Sequence, residues 1–150
     1  MANVDVQIKN KSISQMLAEK GLSAGGDVQS FHTNNVLRRM IKYMPYRSGQ
    51  LIKLTIAQTD IHGTEIITEA PQARAVYHGK VMVDPKTGAA GFLTSNGWRS
   101  RRGVSKVPSN RNMVFTTTKN PQAGPYWDRR LMAAEGKAIT QDLQRYINRR

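Results

Sequence analysis

The chain of 150 residues is long enough for one domain with a core and too short for two, and with 39% hydrophobic and 7% aromatic residues that core is modest and some segments lie outside it. Its 23 Lys and Arg against 10 Asp and Glu give a formal charge of +13, which suits a polyanion or an acidic protein surface as partner. The absence of cysteine excludes disulfides, thiolate metal sites and thiol nucleophiles, and no window approaches the roughly 18 apolar residues of a membrane span.

The start, MANVDVQIKNKS, lacks the apolar stretch of a signal peptide, so a soluble protein made inside a cell is expected. Residues 1–26 read as an N-terminal extension. Within it SISQMLAEKG predicts a short helix: Ser12 and Gln15 have capping-box spacing, Ile13, Met16 and Leu17 share a face, and Gly21 offers a left-handed stop. Residues 27–150 read as a single α+β domain. Asp27 is expected to cap a long helix carrying Val28, Phe31, Val36, Leu37, Met40, Ile41 and Met44 at helical spacing. Pro45 restricts Met44 and so ends that helix, and Gly49 permits the chain to reverse.

Beyond Gly49, Ile52, Leu54 and Ile56 alternate with Lys53 and Thr55, and TEIIT follows DIHG, which predicts a β-hairpin. ARAVYHGK predicts a single helical turn ending at Gly79, and Val81 and Val83 begin another strand before the turn DPKTG. From Gly88 to Asn112 no period is visible, so a long basic loop or arm at about 88–112 is expected; MVFTTT then reads as one more strand. From Pro125 to Arg150 a long helix is predicted, with Pro125 in its first turn, Trp127, Leu131, Ala134, Ala138, Leu143, Tyr146 and Ile147 near one face, and Arg145, Arg149 and Arg150 at its end. The expected fold is therefore a small antiparallel sheet packed by a long helix from the N-terminal half and a long C-terminal helix.

His32, His62 and His78 lie in different segments without metal-ligand spacing. There is no nucleophile elbow and no phosphate loop, and the KTG at Lys86 has no Ser-x-x-Lys partner. The expectation is a protein that is not an enzyme and takes no cofactor or metal. Between Asp84 and Asp128 there is no acid, while Lys86, Arg99, Arg101, Arg102, Lys106, Arg111 and Lys119 are basic; a block of like charge repels itself and is expected to stay mobile until a partner covers it. Trp98, Arg99, Arg101, Arg102, Lys106 and Arg111 are the candidate contacts, either for nucleic acid, with cations on phosphates and Trp98 on a base, or for an acidic neighbouring subunit, or as a solvated loop. Nothing marks a sequence-reading DNA module. In YMPYRSGQL, Pro45 and Gly49 supply a turn, Tyr43 and Tyr46 cover the edge of the core, and Arg47 is solvated; in GPYWDRRL, Tyr126 and Trp127 anchor the long helix.

The order of these segments resembles the tail-completion or neck proteins of long-tailed bacteriophages, and more narrowly the minor capsid proteins of phages of Gram-positive bacteria. In that family a Pro-x-Arg/Lys-Ser/Thr-Gly-x-Leu turn follows the first long helix, matched by Pro45, Arg47, Ser48, Gly49 and Leu51. A Tyr-His-Gly element is matched by Tyr77, His78 and Gly79, and the aromatic helix start by Pro125, Trp127 and Asp128, so the likeness runs from about Asp27 to Arg150. It implies an α+β virion component at the head–tail junction, with other neck, connector and tail-terminator proteins as partners and a homo-oligomeric ring. It transfers no catalytic residue. The alternative is a non-enzymatic basic nucleic-acid-binding protein.

Overall fold

A computed structural model describes residues 11–149, so residues 1–10 of the expected N-terminal extension, and residue 150, lie outside the described residues. Helix α1 (Ile13–Glu19) is closed by the expected capping box: the Ser12 hydroxyl accepts from the Gln15 amide and the Gln15 side chain accepts from Ser12 N–H. Its Ile13, Met16 and Leu17 share a face, but that face looks outward and Ile13 is 74% exposed. Helix α2 (Asp27–Met40) is capped by Gly26, which leaves Asp27 inside the first turn, where a carboxylate complements the helix dipole. The helix stops at Met40 and passes through a turn at Ile41–Tyr43, short of Pro45.

The stretch expected as the first strand of a hairpin is helix α3 (Gln50–Gln58). The alternation of Ile52, Leu54 and Ile56 misleads because the burial period is helical: Leu51 and Thr55 are buried one turn apart, while Ile56 is half exposed. TEIIT forms no strand either. Helix side chains serve it in place of a strand partner: the Gln58 amide group accepts from Glu69 N–H (2.7 Å) and donates to Glu69 C=O (2.9 Å), and Thr59 Oγ1 accepts from Ile67 N–H (3.1 Å).

Helix α4 (Ala73–His78) ends, as its sequence predicts, on Gly79 at φ +67°. Strand β1 (Lys80–Val83) follows. The region expected as an unstructured arm holds a hairpin, β2 (Phe92–Thr94) with β3 (Gly97–Arg99), and strand β4 (Val107–Asn112), which pairs antiparallel with β1 in the register Lys80↔Asn112 and Val83↔Val107. MVFTTT, expected as a strand, lies just past β4 and has no ladder, because the chain opposite it has already turned into α4 at Gly79. The fold class is α+β, with a small antiparallel strand set and a long C-terminal helix, α5 (Trp127–Asn148). Pro125 precedes that helix rather than entering its first turn.

The core gathers Met40, Tyr43, Met44, Leu51, Ala73, Trp127, Leu131 and Ile139, with α2 laid along α5. Ala134, expected inside, is exposed, and Ile139, missing from the expected face, is buried. The inward stripe of α5 runs Trp127, Leu131, Glu135, Ile139, Asp142 and Tyr146, so two acids sit within it. Glu135 accepts from Arg39 (2.6 Å), Lys42 (3.0 Å) and the Tyr43 hydroxyl (2.6 Å), and Asp142 accepts from Arg39 (2.5 Å), Asn35 (3.1 Å) and Arg145. Above this seam the rings of Phe31 and Tyr146 stack with centroids 4.2 Å apart.

These contacts hold both carboxyls down against the opposing effect of burial. The Tyr43 hydroxyl, then Lys42 and Arg39, lower Glu135 from 4.5 to about 2; Arg39, then Asn35 and Arg145, lower Asp142 from 3.8 to about 2. A carboxyl depressed in the folded state stabilises the fold above its unfolded value and loses that contribution as pH falls toward its folded value. The melting temperature should therefore fall as pH drops from about 4.5 to about 2, and the double substitution Glu135→Gln with Asp142→Asn should lower it at pH 7 and flatten its pH dependence in that window. A thermal melt series from pH 2 to 7 checks this; an unchanged slope in the double variant contradicts it.

Candidate protein interface

Strand β1 delivers Asp84, only 7% exposed, to the base of the arm. Its carboxylate accepts from the Lys86 and Thr87 amides (2.8 and 3.3 Å), an Asx turn that sets the direction of DPKTG, and receives the Arg101 guanidinium through Nε (2.5 Å) and Nη2 (2.8 Å). The Arg101 fork, helped by those amides, holds the Asp84 carboxyl well below the usual carboxylate range. Lys106 Nζ donates to Ala90 C=O (2.5 Å), a second tie across the same base. Two of the cations expected to meet a partner, Arg101 and Lys106, thus close the arm on itself. The block expected as an unpaired loop holds two strand pairings and these two ties.

Above that base the hairpin carries Leu93 opposite Trp98, with Phe92 opposite Arg99. Leu93 is 78% exposed and Trp98 60%. Gly97, at φ +98°, closes the Ser95–Asn96 turn, and the Trp98 indole lies so close over Gly91 that a Cβ there would come within 2.5 Å of Nε1. Trp98 is thus set in place from beneath and open from above. Arg99, Arg102 and Arg111 are exposed and take no ion pair among the described residues. Sequence reasoning missed Leu93 and Asp84. The signal for Asp84 was its position as the last acid before an acid-free stretch.

The elbow turns a helix into a helix rather than into a strand. Gly49, at φ +78°, is the N-cap of α3, Leu51 is buried beneath it, and Arg47 and Ser48 face solvent. Tyr46 covers the glycine, so a Cβ at Gly49 would lie 2.8 Å from its ring, and Lys119 Nζ sits 5.2 Å from the ring centroid. Pro45 joins this turn to the buried Met44.

The helix start at Pro125, Tyr126 and Trp127 binds the remaining segments together. Gly124 N–H donates to Tyr43 C=O (3.2 Å) and Tyr126 N–H to Tyr77 C=O (2.9 Å), at the ends of α2 and α4. The Asn120 amide donates to Ile41 C=O and Met44 C=O, 2.9 Å each. The Tyr77 ring meets Tyr126 and Trp127 edge to face at 5.2 and 5.0 Å, and its hydroxyl donates to Asp128 (2.7 Å). Tyr126 is held at φ +52°, the single non-glycine residue at positive φ among those described. Segments far apart in sequence thus meet in one aromatic knot.

Two concave surfaces flank this knot. One, of about 380 Å³, is lined by His32, Tyr77, Trp127 and Asp128, with His32 Nδ1 buried and unpartnered. The other, of about 600 Å³, runs from the elbow to Met113–Thr116. Among the described residues no three His, Cys, Asp or Glu side chains gather where a metal could sit, and no helix is long and apolar enough to cross a membrane. The side chains on offer suit apolar docking and contact with anions. Comparison with protein families, curated proteins and solved structures finds no match to this chain.

Replacing Gly49 by valine places a β-branched residue at positive φ against Tyr46, a strain of about 1–3 kcal/mol. Gly49→Val should lower the melting temperature by several degrees without altering secondary-structure content; a melting temperature equal to that of the parent would show that the elbow tolerates a side chain there.

Proposed function

We propose that this protein is a structural component of the neck of a long-tailed bacteriophage, made in the host cytoplasm and incorporated at the head–tail junction of the virion. There it joins the tail to the DNA-filled head through ring-like contacts with its own copies and with connector and tail-terminator proteins. The observation that carries the reading is the β2–β3 hairpin: an exposed Leu93–Trp98 face on a base fastened by Asp84, Arg101 and Lys106. Ring contacts are heterologous, so one surface of a subunit must reach a different surface of the next, and a pinned arm with an apolar tip suits that task. The reading is supported further by the residues that carry the family resemblance. From the dispersed segments Pro45–Leu51, Tyr77–Gly79 and Pro125–Asp128, the residues Leu51, Tyr77 and Trp127 meet in the core cluster and Gly79 lies against Pro125, as the framework of a common domain would.

A second reading, a basic nucleic-acid-binding protein, draws on Arg99, Arg102 and Arg111, which keep their charges free of acid partners among the described residues. Salt separates the two. Phosphate contacts weaken steeply with ionic strength, with a logarithmic slope near −0.9 per phosphate, whereas apolar docking of the hairpin persists in high salt.

Deleting Gly97–Asn110 would remove most of β4 along with the arm, so substitution is the cleaner test. Leu93→Ser with Trp98→Ser should leave the chain folded, with at most a modest fall in melting temperature because both side chains are more than half exposed, and should abolish head–tail joining in a complementation assay. Normal joining by a folded double variant contradicts the proposal.

A further inference from the structure

Beyond Asn112 the chain leaves its ladder. Met113 N–H still donates to Gly79 C=O (2.8 Å), and from Val114 the backbone runs on without turn or bend to Thr117, making no backbone hydrogen bond among the described residues. Val114 is 98% exposed, and the segment VFTTT is uncharged and rich in β-branched residues. Such a segment presents a row of unpaired N–H and C=O groups, which pair readily with an added strand.

The 600 Å³ groove lies directly beside it. Leu51, Val76, Val81, Met113 and Phe115 supply its apolar lining, and Arg47 is the one charged residue there. From Pro85 to Trp127 the chain has no acid at all, so a second copy that added this same stretch beside Val114–Thr117 would bring no carboxylate to this mouth. A segment bearing a carboxylate is the complementary occupant.

We propose that this groove receives an extended, acidic segment of a different protein. The segment adds as a strand beside Val114–Thr117, seats alternate apolar side chains in the groove, and sets a carboxylate on Arg47. Main-chain pairing supplies the binding mode and Arg47 the sign of the partner. This docking surface is distinct from the Leu93–Trp98 face, and it stands whether or not the chain is a neck component.

The test is an amide-resolved NMR titration of the full chain with a capped peptide of alternating valine and threonine that has an aspartate at each end. The expected result is shifts confined to Arg47–Leu51, Val76–Val81 and Met113–Thr117. A version N-methylated at alternate residues should bind at least about tenfold more weakly, because main-chain pairing is lost. Arg47 is exposed and takes no ion pair among the described residues, so Arg47→Glu should fold normally and invert the preference between aspartate-ended and lysine-ended peptides by about tenfold. Absence of shifts at millimolar peptide, equal binding of the N-methylated version, or a preference of the parent chain for the lysine-ended peptide would each overturn the proposal. Self-association of the parent chain that Val114→Asp abolishes would overturn it too, by making a second copy the occupant.

Discussion

Glu135 is the point from which the rest of the structure takes its bearings. A carboxylate on the inward stripe of α5 would be costly to bury alone, and it is tolerable because Tyr43, Lys42 and Arg39, on the last turn of α2 and just past it, all donate to it. Asp142, two turns further along α5, takes the other side of the same Arg39 guanidinium. The pairing sets the register of α5 against α2, and hydrophobic burial of Met40, Leu131 and Ile139 along the seam supplies the bulk of the attraction. A one-residue slip would put Ala134 or Gly136 where Glu135 must be.

With that register set, the loop before α5 falls between the ends of α2 and α4, where Gly124 and Tyr126 find the carbonyls of Tyr43 and Tyr77. Those bonds bring the strands along, since β1 leaves directly from Gly79 and β4 returns beside it. The body thus ends in a knot of short connections, with the exposed hairpin at one end of the β1–β4 pair and the open stretch past β4 at the other.

The parts of this architecture readable in sequence were those with local causes. The capping box at Ser12, the left-handed stops at Gly21 and Gly79, the reversal at Gly49 and the apolar spacing of α2 and α5 each depend on residues within a few positions of one another. The misreadings were non-local or ambiguous in period. Ile52, Leu54 and Ile56 fit a strand until Thr55, a polar residue, proves to be the buried member of the helix, bonded to Leu51 C=O and Thr68. The acids in the α5 stripe do not stand out in sequence because their partners lie about a hundred residues away, on α2 and just past it. The basic region looked shapeless because its anchor, Asp84, lies outside it and its β4 pairs across more than twenty residues. The candidate site is only half legible for the same reason: Trp98, Arg99 and Arg102 are visible as chemistry, but which cations are taken by Asp84 and Ala90 is a property of the fold.

A chain that is a fixed part of a virion occupies one defined place in the finished particle. Particles purified from a lysate in which the chain is expressed from its native genetic setting should contain it in a constant ratio to the major capsid protein by quantitative mass spectrometry. Immunogold label should fall at the junction of head and tail. Absence of the chain from finished particles, or label spread over the head or free of particles altogether, would contradict the account.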